Sequence, residues 1–215
     1  MLREEDKIEI RKRMEVMTNP VELVYFTQMI SAECPYCIET EQLLKEVSGL
    51  SDKITLKVKN FVTDKEETVD SGIDKIPATV IRGDKDYGMR FYGIPTGYEF
   101  ASLLEMILHV SSRESGLDEN LKKEVQAIDK PVHIQVFVTP TCPYCPKAAI
   151  TAQQIAMEND LVKADVVEVS EFPQMAQKYG VMGVPKVVIN ESHGFEGALP
   201  ESVFMEHIKN ALNSG

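Results

Sequence analysis

Phe137-Val138-Thr139-Pro140-Thr141-Cys142-Pro143-Tyr144-Cys145-Pro146 joins the end of a β-rich run to a pair of cysteines and the start of a helical pattern. The same tetrapeptide occurs earlier as Cys34-Pro35-Tyr36-Cys37, and these two copies hold all 4 cysteines of the 215-residue chain. The first cysteines of the two copies are 108 residues apart. Downstream of each lies a branched residue and a proline heading another β-rich run: Ile76-Pro77-Ala78-Thr79-Val80-Ile81 and Val184-Pro185-Lys186-Val187-Val188-Ile189. These prolines are again 108 residues apart, which makes each Cys-to-Pro distance 43 residues. A fixed offset of this kind is the mark of an internal repeat, here two copies of a unit of roughly 100 residues.

Each copy reads alike. A strand at Leu23–Phe26 or Ile134–Val138 precedes the cysteine motif, which sits at a strand-to-helix turn. Pro35 and Pro143 are expected near the first helical position, where a missing N–H costs nothing. Leu43, Leu44 and Val47, and Ala148, Ala152, Ile155 and Ala156, then recur at helical spacing. A second strand follows at Ile54–Val58 or Ala164–Val169, then a short helix and the proline-led strand. A further strand near Met89–Tyr92 or Phe195 leads to a last helix, Tyr98–Val110 or Pro200–Leu212. A leading helix completes each unit, with Ile10, Met14 and Met17 in one copy and Leu117–Ile128 in the other. The polar stretch Ser111–Gly116 divides the chain into residues 1–116 and 117–215. The expected class is α/β: two tandem units, each a central mixed sheet flanked by helices.

The chain carries a net charge of −11, with 43% hydrophobic and 27% charged residues. The acidic excess argues against a nucleic-acid partner, whose binding rests on clustered Lys and Arg, and against an anionic membrane surface. No apolar run approaches the ~18 residues of a membrane span, and the charged N-terminus does not resemble a secretory signal. With every cysteine inside a motif and none left for a structural bridge, a cytoplasmic setting is expected. No Gly-x-Gly-x-x-Gly follows a strand, so a bound flavin or nicotinamide has no support.

A Cys-x-x-Cys at a helix N-terminus fits redox chemistry. Free backbone N–H groups and the helix dipole stabilise the thiolate of the first cysteine. The second lies three residues on, close enough to resolve a mixed disulfide. The proline after Ile76 or Val184 suits a cis peptide facing the thiol, leaving the preceding backbone free to pair with an extended substrate.

Both halves resemble the thioredoxin/glutaredoxin fold, and Cys-Pro-Tyr-Cys is the glutaredoxin form of its active site. Two intact motifs in one short chain resemble the tandem protein disulfide oxidoreductases of thermophilic prokaryotes, which are likened to protein disulfide isomerase. A related two-unit arrangement fronts a bacterial alkyl hydroperoxide reductase flavoprotein, but with a single active dithiol. The resemblance implies Cys34 and Cys142 as attacking residues and Cys37 and Cys145 as resolving ones. Pro35, Tyr36, Pro143 and Tyr144 would form the motif turns, and cis prolines Pro77 and Pro185, with Ile76, Val184 and Met182, the substrate groove. It implies protein disulfides and dithiols as substrates, redox-active disulfides in place of a bound cofactor, and a thioredoxin-reductase-like flavoenzyme as electron donor.

Gly183-Val184-Pro185 and Lys75-Ile76-Pro77 depart from the Thr-Val-Pro of glutathione-using glutaredoxins, leaving a glutathione-linked thioltransferase as the alternative. A scaffold using the same cysteines for a metal or an iron–sulfur cluster is a further alternative. Zinc ribbons, however, separate their pairs by ~15–20 residues, against 104 between Cys37 and Cys142. His109, His133, His193 and His207 lie far in sequence from either pair. The two sites are expected to differ: Glu33, Glu39 and Asp74-Lys75 surround the first where Thr141, Lys147 and Met182-Gly183 surround the second. Cys142 should therefore be the more acidic thiol, its disulfide the more oxidising, and the Met182–Val184 edge the one favouring apolar substrates.

Overall fold

The apolar runs become strands buried on both faces. The computed structural model describes residues 2–28 and 34–213. Its first half contains α1 (Glu4–Met14), β1 (Val21–Thr27), α2 (Cys37–Ser48), β2 (Ile54–Asn60), α3 (Lys65–Asp70), β3 (Ala78–Arg82), β4 (Asp86–Tyr92) and α4 (Glu99–Ser112). The second half repeats the order: α5 (Glu119–Gln126), β5 (Val132–Val138), α6 (Cys145–Glu158), β6 (Val162–Glu168), α7 (Pro173–Lys178), β7 (Lys186–Ile189), β8 (His193–Glu196) and α8 (Glu201–Asn213).

The two expected sheets are one. The strands run β2-β1-β3-β4-β6-β5-β7-β8, so each half contributes the same four-strand pattern and the halves meet where β4 pairs in parallel with β6. Each of those strands would otherwise be a sheet edge with unpaired backbone groups, and the pairing removes both edges. Met89, Arg90, Phe91 and Tyr92 lie opposite Ala164, Asp165, Val166 and Val167 along this seam. Gly88 is required there: its φ is +75°, and a Cβ would stand 2.8 Å from the Val162 carbonyl oxygen.

Side chains alternate between two cores. Val21, Leu23 and Tyr25 of β1 and Val132, Ile134, Val136 and Val138 of β5 face a core that also holds residues of α1, α2, α4, α5, α6 and α8. It is continuous across both halves, with α4 packed on α6. Val24, Phe26, Phe137 and Val167 face the smaller opposite core with Ile73 and Phe172 beside the short helices α3 and α7. Near the middle of that second face the seam carries polar groups: Arg90 is bidentate on Asp86 at 2.8 Å, and His133 Nε2 lies 2.7 Å from Asp165.

Strand directions place both cysteine motifs at one end. β1 is antiparallel to β3 and β3 to β4, while β4, β6 and β5 are mutually parallel, so β1 and β5 point the same way. Four inter-strand steps separate them, about 19 Å at the usual spacing.

Local chemistry moved some ends. The leading helix of the second half starts at Glu119, because Asp118 is its N-cap and accepts the N–H groups of Asn120 and Leu121. Pro35 and Pro143 lie outside their helices, which begin at the second cysteine with Tyr36 and Tyr144 at the N-cap; only Pro146 is inside a first turn. The repeat offset is 108 at the cysteines but 111 at the strands, Val21 against Val132, so the first strand-to-helix loop is three residues longer. Residues 29–33 of that loop, with Glu33, lie outside the described residues.

Candidate active site

Cys34 and Cys37 form a disulfide with Cα atoms 5.4 Å apart, and Cys142 and Cys145 form another at 5.5 Å. All four cysteines are buried. At the second site the Cys145 N–H donates to Cys142 Sγ at 3.1 Å, so a helix N-terminus already directs a backbone donor at the first sulfur. The same sulfur lies 3.7 Å from the Val184 carbonyl oxygen. Val184–Pro185 and Ile76–Pro77 are both cis. The Pro77 and Pro185 carbonyls accept the N–H of Gly93 and Gly197, at 2.9 and 2.8 Å, at the strand end that follows each.

At the first site, Tyr25 Oη donates to the Cys37 carbonyl at 2.7 Å and Thr40 Oγ1 to the Tyr36 carbonyl at 2.7 Å. These bonds tie the first turn of α2 to β1. Burial pushes the Tyr25 phenol far above its ordinary range, so it stays a donor.

The rims differ. Met182 is 92% exposed and Tyr144 70%, so the second site is edged by solvent-facing apolar surface, and Met182 is not core. The first site is edged by the less exposed Tyr36 and Ile38 and by exposed Glu39, while Lys75 pairs with Asp74 at 2.5 Å and caps the Tyr92 ring. Lys147 is exposed on α6.

The halves also reach across the seam. Tyr98 N–H donates to the Pro140 carbonyl at 2.9 Å, just ahead of the second motif. Gly97 there has φ +60°, and a Cβ would fall 2.2 Å from the Pro140 carbonyl oxygen. In the other direction, Glu171 Oε1 accepts the Ile94 N–H at 2.6 Å. Sequence reasoning missed Tyr25, Gly97, Glu99 and Glu171. A glycine in Pro95-Thr96-Gly97 signals a turn, but no local pattern reports a partner from the other repeat. Burial pushes the carboxyls of Glu99 and Glu171 up to about 7, against the hydrogen bonds from Ser102 and the Ile94 N–H.

The histidines stand apart from the motifs: His109 meets Gln154, His133 meets Asp165, and His193 meets His207. Among the described residues no group of three or more His, Cys, Asp or Glu could hold a metal ion, and no helix is long and apolar enough to cross a membrane.

A dithiol at a helix N-terminus opposite a cis proline, on a β-α-β-α-β-β-α unit, defines the thioredoxin-fold thiol–disulfide oxidoreductases. A thioredoxin domain model matches residues 132–210. The chain is 40% identical over 82 residues to a thioredoxin of Methanocaldococcus jannaschii, covering 38% of this chain and 96% of that one. The crystal structure of a protein disulfide oxidoreductase from Aeropyrum pernix K1 superposes with a TM-score of 0.93 at 32% identity, covering 100% of this chain and 95% of that one. Within the thioredoxin-fold class, this chain belongs to the protein disulfide oxidoreductase family with two thioredoxin units. It is also 27% identical over 184 residues to the F-type component of the alkyl hydroperoxide reductase of Pseudomonas aeruginosa, covering 86% of this chain and 33% of that protein. The chain thus spans about a third of the length of that curated relative.

Proposed function

We propose that this chain catalyses thiol–disulfide exchange on protein substrates at two dithiol sites, one in each of two units dividing at residue 116. The observation that supports this reading most directly is the second site, where the Cys145 N–H and the carbonyl before a cis proline converge on Cys142 Sγ. Reduced Cys142 attacks a substrate disulfide as a thiolate, forms a mixed disulfide and expels the distal substrate thiolate, which takes a proton from solvent. The Cys145 thiolate then attacks Cys142 Sγ, releases the remaining substrate thiolate and leaves the Cys142–Cys145 disulfide, so two electrons have passed to substrate. Cys34 and Cys37 perform the same steps at the first site. Run backwards, the sequence oxidises a substrate dithiol, and a mixed disulfide that escapes resolution permits isomerisation.

An extended substrate segment pairs with the backbone at Ile76 or Val184, and Met182 and Tyr144 offer it apolar contact. Recharging the dithiols calls for an external two-electron donor, assigned to a thioredoxin-reductase-like flavoenzyme in the cytoplasm. The test is dithiothreitol-driven insulin reduction by the full chain, Cys34→Ser, Cys142→Ser and the double variant. Loss only in the double variant, with Cys142→Ser the weaker single, is expected. A wild-type rate no faster than dithiothreitol alone would overturn the assignment.

A further inference from the structure

We propose that Glu171, a side chain of the second half, is a positioning residue for the first dithiol: it holds the wall behind Cys34 and Cys37 and sets how readily their thiols ionise. This deepens the assignment of Cys34 and Cys37 as an exchanging pair and rests on it.

Glu171 follows β6, and β6 abuts β4, so its carboxylate stands at the end of the sheet where both motifs emerge. Its Oε1 accepts the Ile94 N–H at 2.6 Å. One residue earlier, Gly93 N–H donates to the carbonyl of Pro77, the cis proline of the first site, at 2.9 Å. Gly93 leaves no room between these groups: with φ +99°, its Cβ would lie 2.7 Å from Glu168 Cβ and 2.9 Å from Glu171 Oε1. Glu171, the 93–94 backbone and Pro77 therefore move as one piece.

The groups that act on Glu171 come from three elements. Glu168 at the end of β6 and Glu39 on α2, two residues beyond Cys37, press on it as like charges, and Tyr25 on β1 lies within its field. Tyr25 in turn donates to the Cys37 carbonyl, and Glu41 acts on Tyr25 from α2. Neither Glu168 nor Ile94 supplies a positive charge. Glu168 commits its own carboxylate to the Ser170 and Glu171 N–H groups, at 3.1 and 3.0 Å. Thr63 is the residue at the repeat offset from Glu171 and is exposed, so this device has no copy in the first half. A thiolate formed at Cys34 would add one more negative charge to a wall whose acting groups, Glu39 and Glu168, are acidic. Glu171 keeps its proton when the dithiol ionises, and an ionised Glu171 holds the thiols protonated.

The test reads thiol acidity rather than turnover, so its failure is separable from failure of the enzymatic assignment. Iodoacetamide alkylation is followed against pH in the full-length chain carrying Cys142→Ser and Cys145→Ser, with and without Glu171→Gln. The same comparison is made in a Cys34→Ser, Cys37→Ser background. At pH 7.5 the first dithiol should react about three-fold faster once Glu171 is neutralised, the size expected of one screened charge at a partly exposed site, and its profile should shift to lower pH. Glu171→Asp should keep the wild-type profile, and the second dithiol should be unmoved. An unchanged first-site profile, or an equal shift at both sites, would overturn the proposal. Where Glu171→Gln fails to fold, the ¹³C carboxyl titration of Glu171 in the Cys142→Ser, Cys145→Ser chain replaces it. Its midpoint should rise on reduction of Cys34–Cys37, and a midpoint indifferent to reduction would refute the coupling.

Discussion

Glu99 is fully buried at the first turn of α4, with Oε2 accepting from Ser102 Oγ at 2.6 Å and Oε1 without a partner. An unfolded chain would ionise this carboxyl near 4.5, whereas burial pushes it up to about 7 in the fold. Between those values the unfolded state releases its proton first, so stability falls as pH rises through the window and levels off above it. Glu99→Gln should remove that slope and stabilise the protein at pH 8 by up to about 3 kcal/mol, measured by urea unfolding at pH 5 and pH 8. His133 adds to the trend in the same direction. Burial opposes its charge, but Asp165 prevails and holds its imidazolium above 6.5. That contribution is complete below the unfolded value and fades as pH rises through the folded one. Asp165→Asn should flatten the stability profile above pH 6.5. Neither group was legible beforehand: Glu99 reads as an ordinary first-turn acid and His133 as one polar residue in a strand, because burial is a property of what packs against them.

At the scale of elements the sequence was a good guide wherever the signal is local. Alternation and β-branching marked β1 and β5, and helical spacing marked α2 and α6, because a buried face leaves its period in the chain. The cysteine and proline spacing located both motifs for the same reason, since the turn and the helix start are made by neighbouring residues. Ends fared less well. Leu117 belongs to the apolar stripe of α5 but precedes the helix, since Asp118 accepts from Asn120 and Leu121 at 2.8 and 3.0 Å. Asp118→Ala should cost about 1 kcal/mol in thermal or urea unfolding, with Asp118→Ser recovering most of it. The polar stretch after α4 is likewise no loose tether. Ser111 Oγ accepts the Thr18 N–H at 3.0 Å and donates to the Asn19 carbonyl at 2.7 Å, which fastens the end of α4 to the entry of β1.

For the whole molecule, the feature that no repeat pattern disclosed is the β4·β6 seam. Two copies of one motif specify two sheets; whether those sheets join depends on edges meeting in space. Beyond the shared strands, the Lys85–Asp160 ion pair and the Tyr98 and Ile94 backbone bonds cross from half to half. A core continuous across the seam predicts one cooperative unfolding transition. Far-ultraviolet circular dichroism and tyrosine fluorescence should give coincident curves, the latter being usable because the chain has 7 tyrosines and no tryptophan. Gly88→Val, which must force a side chain against the Val162 carbonyl at a positive φ, should lower stability by about 2 kcal/mol or more and separate the two curves.

The shared direction of β1 and β5 bears on what a captured substrate meets next. An extended polypeptide advances about 3.3 Å per residue, so the distance between the strand ends corresponds to about six residues. A protein tethered by one of its cysteines to Cys142 would carry its neighbouring cysteines within reach of Cys34 without leaving the surface. Their encounter would then be governed by the length of the tether rather than by diffusion from bulk, at effective concentrations in the millimolar range.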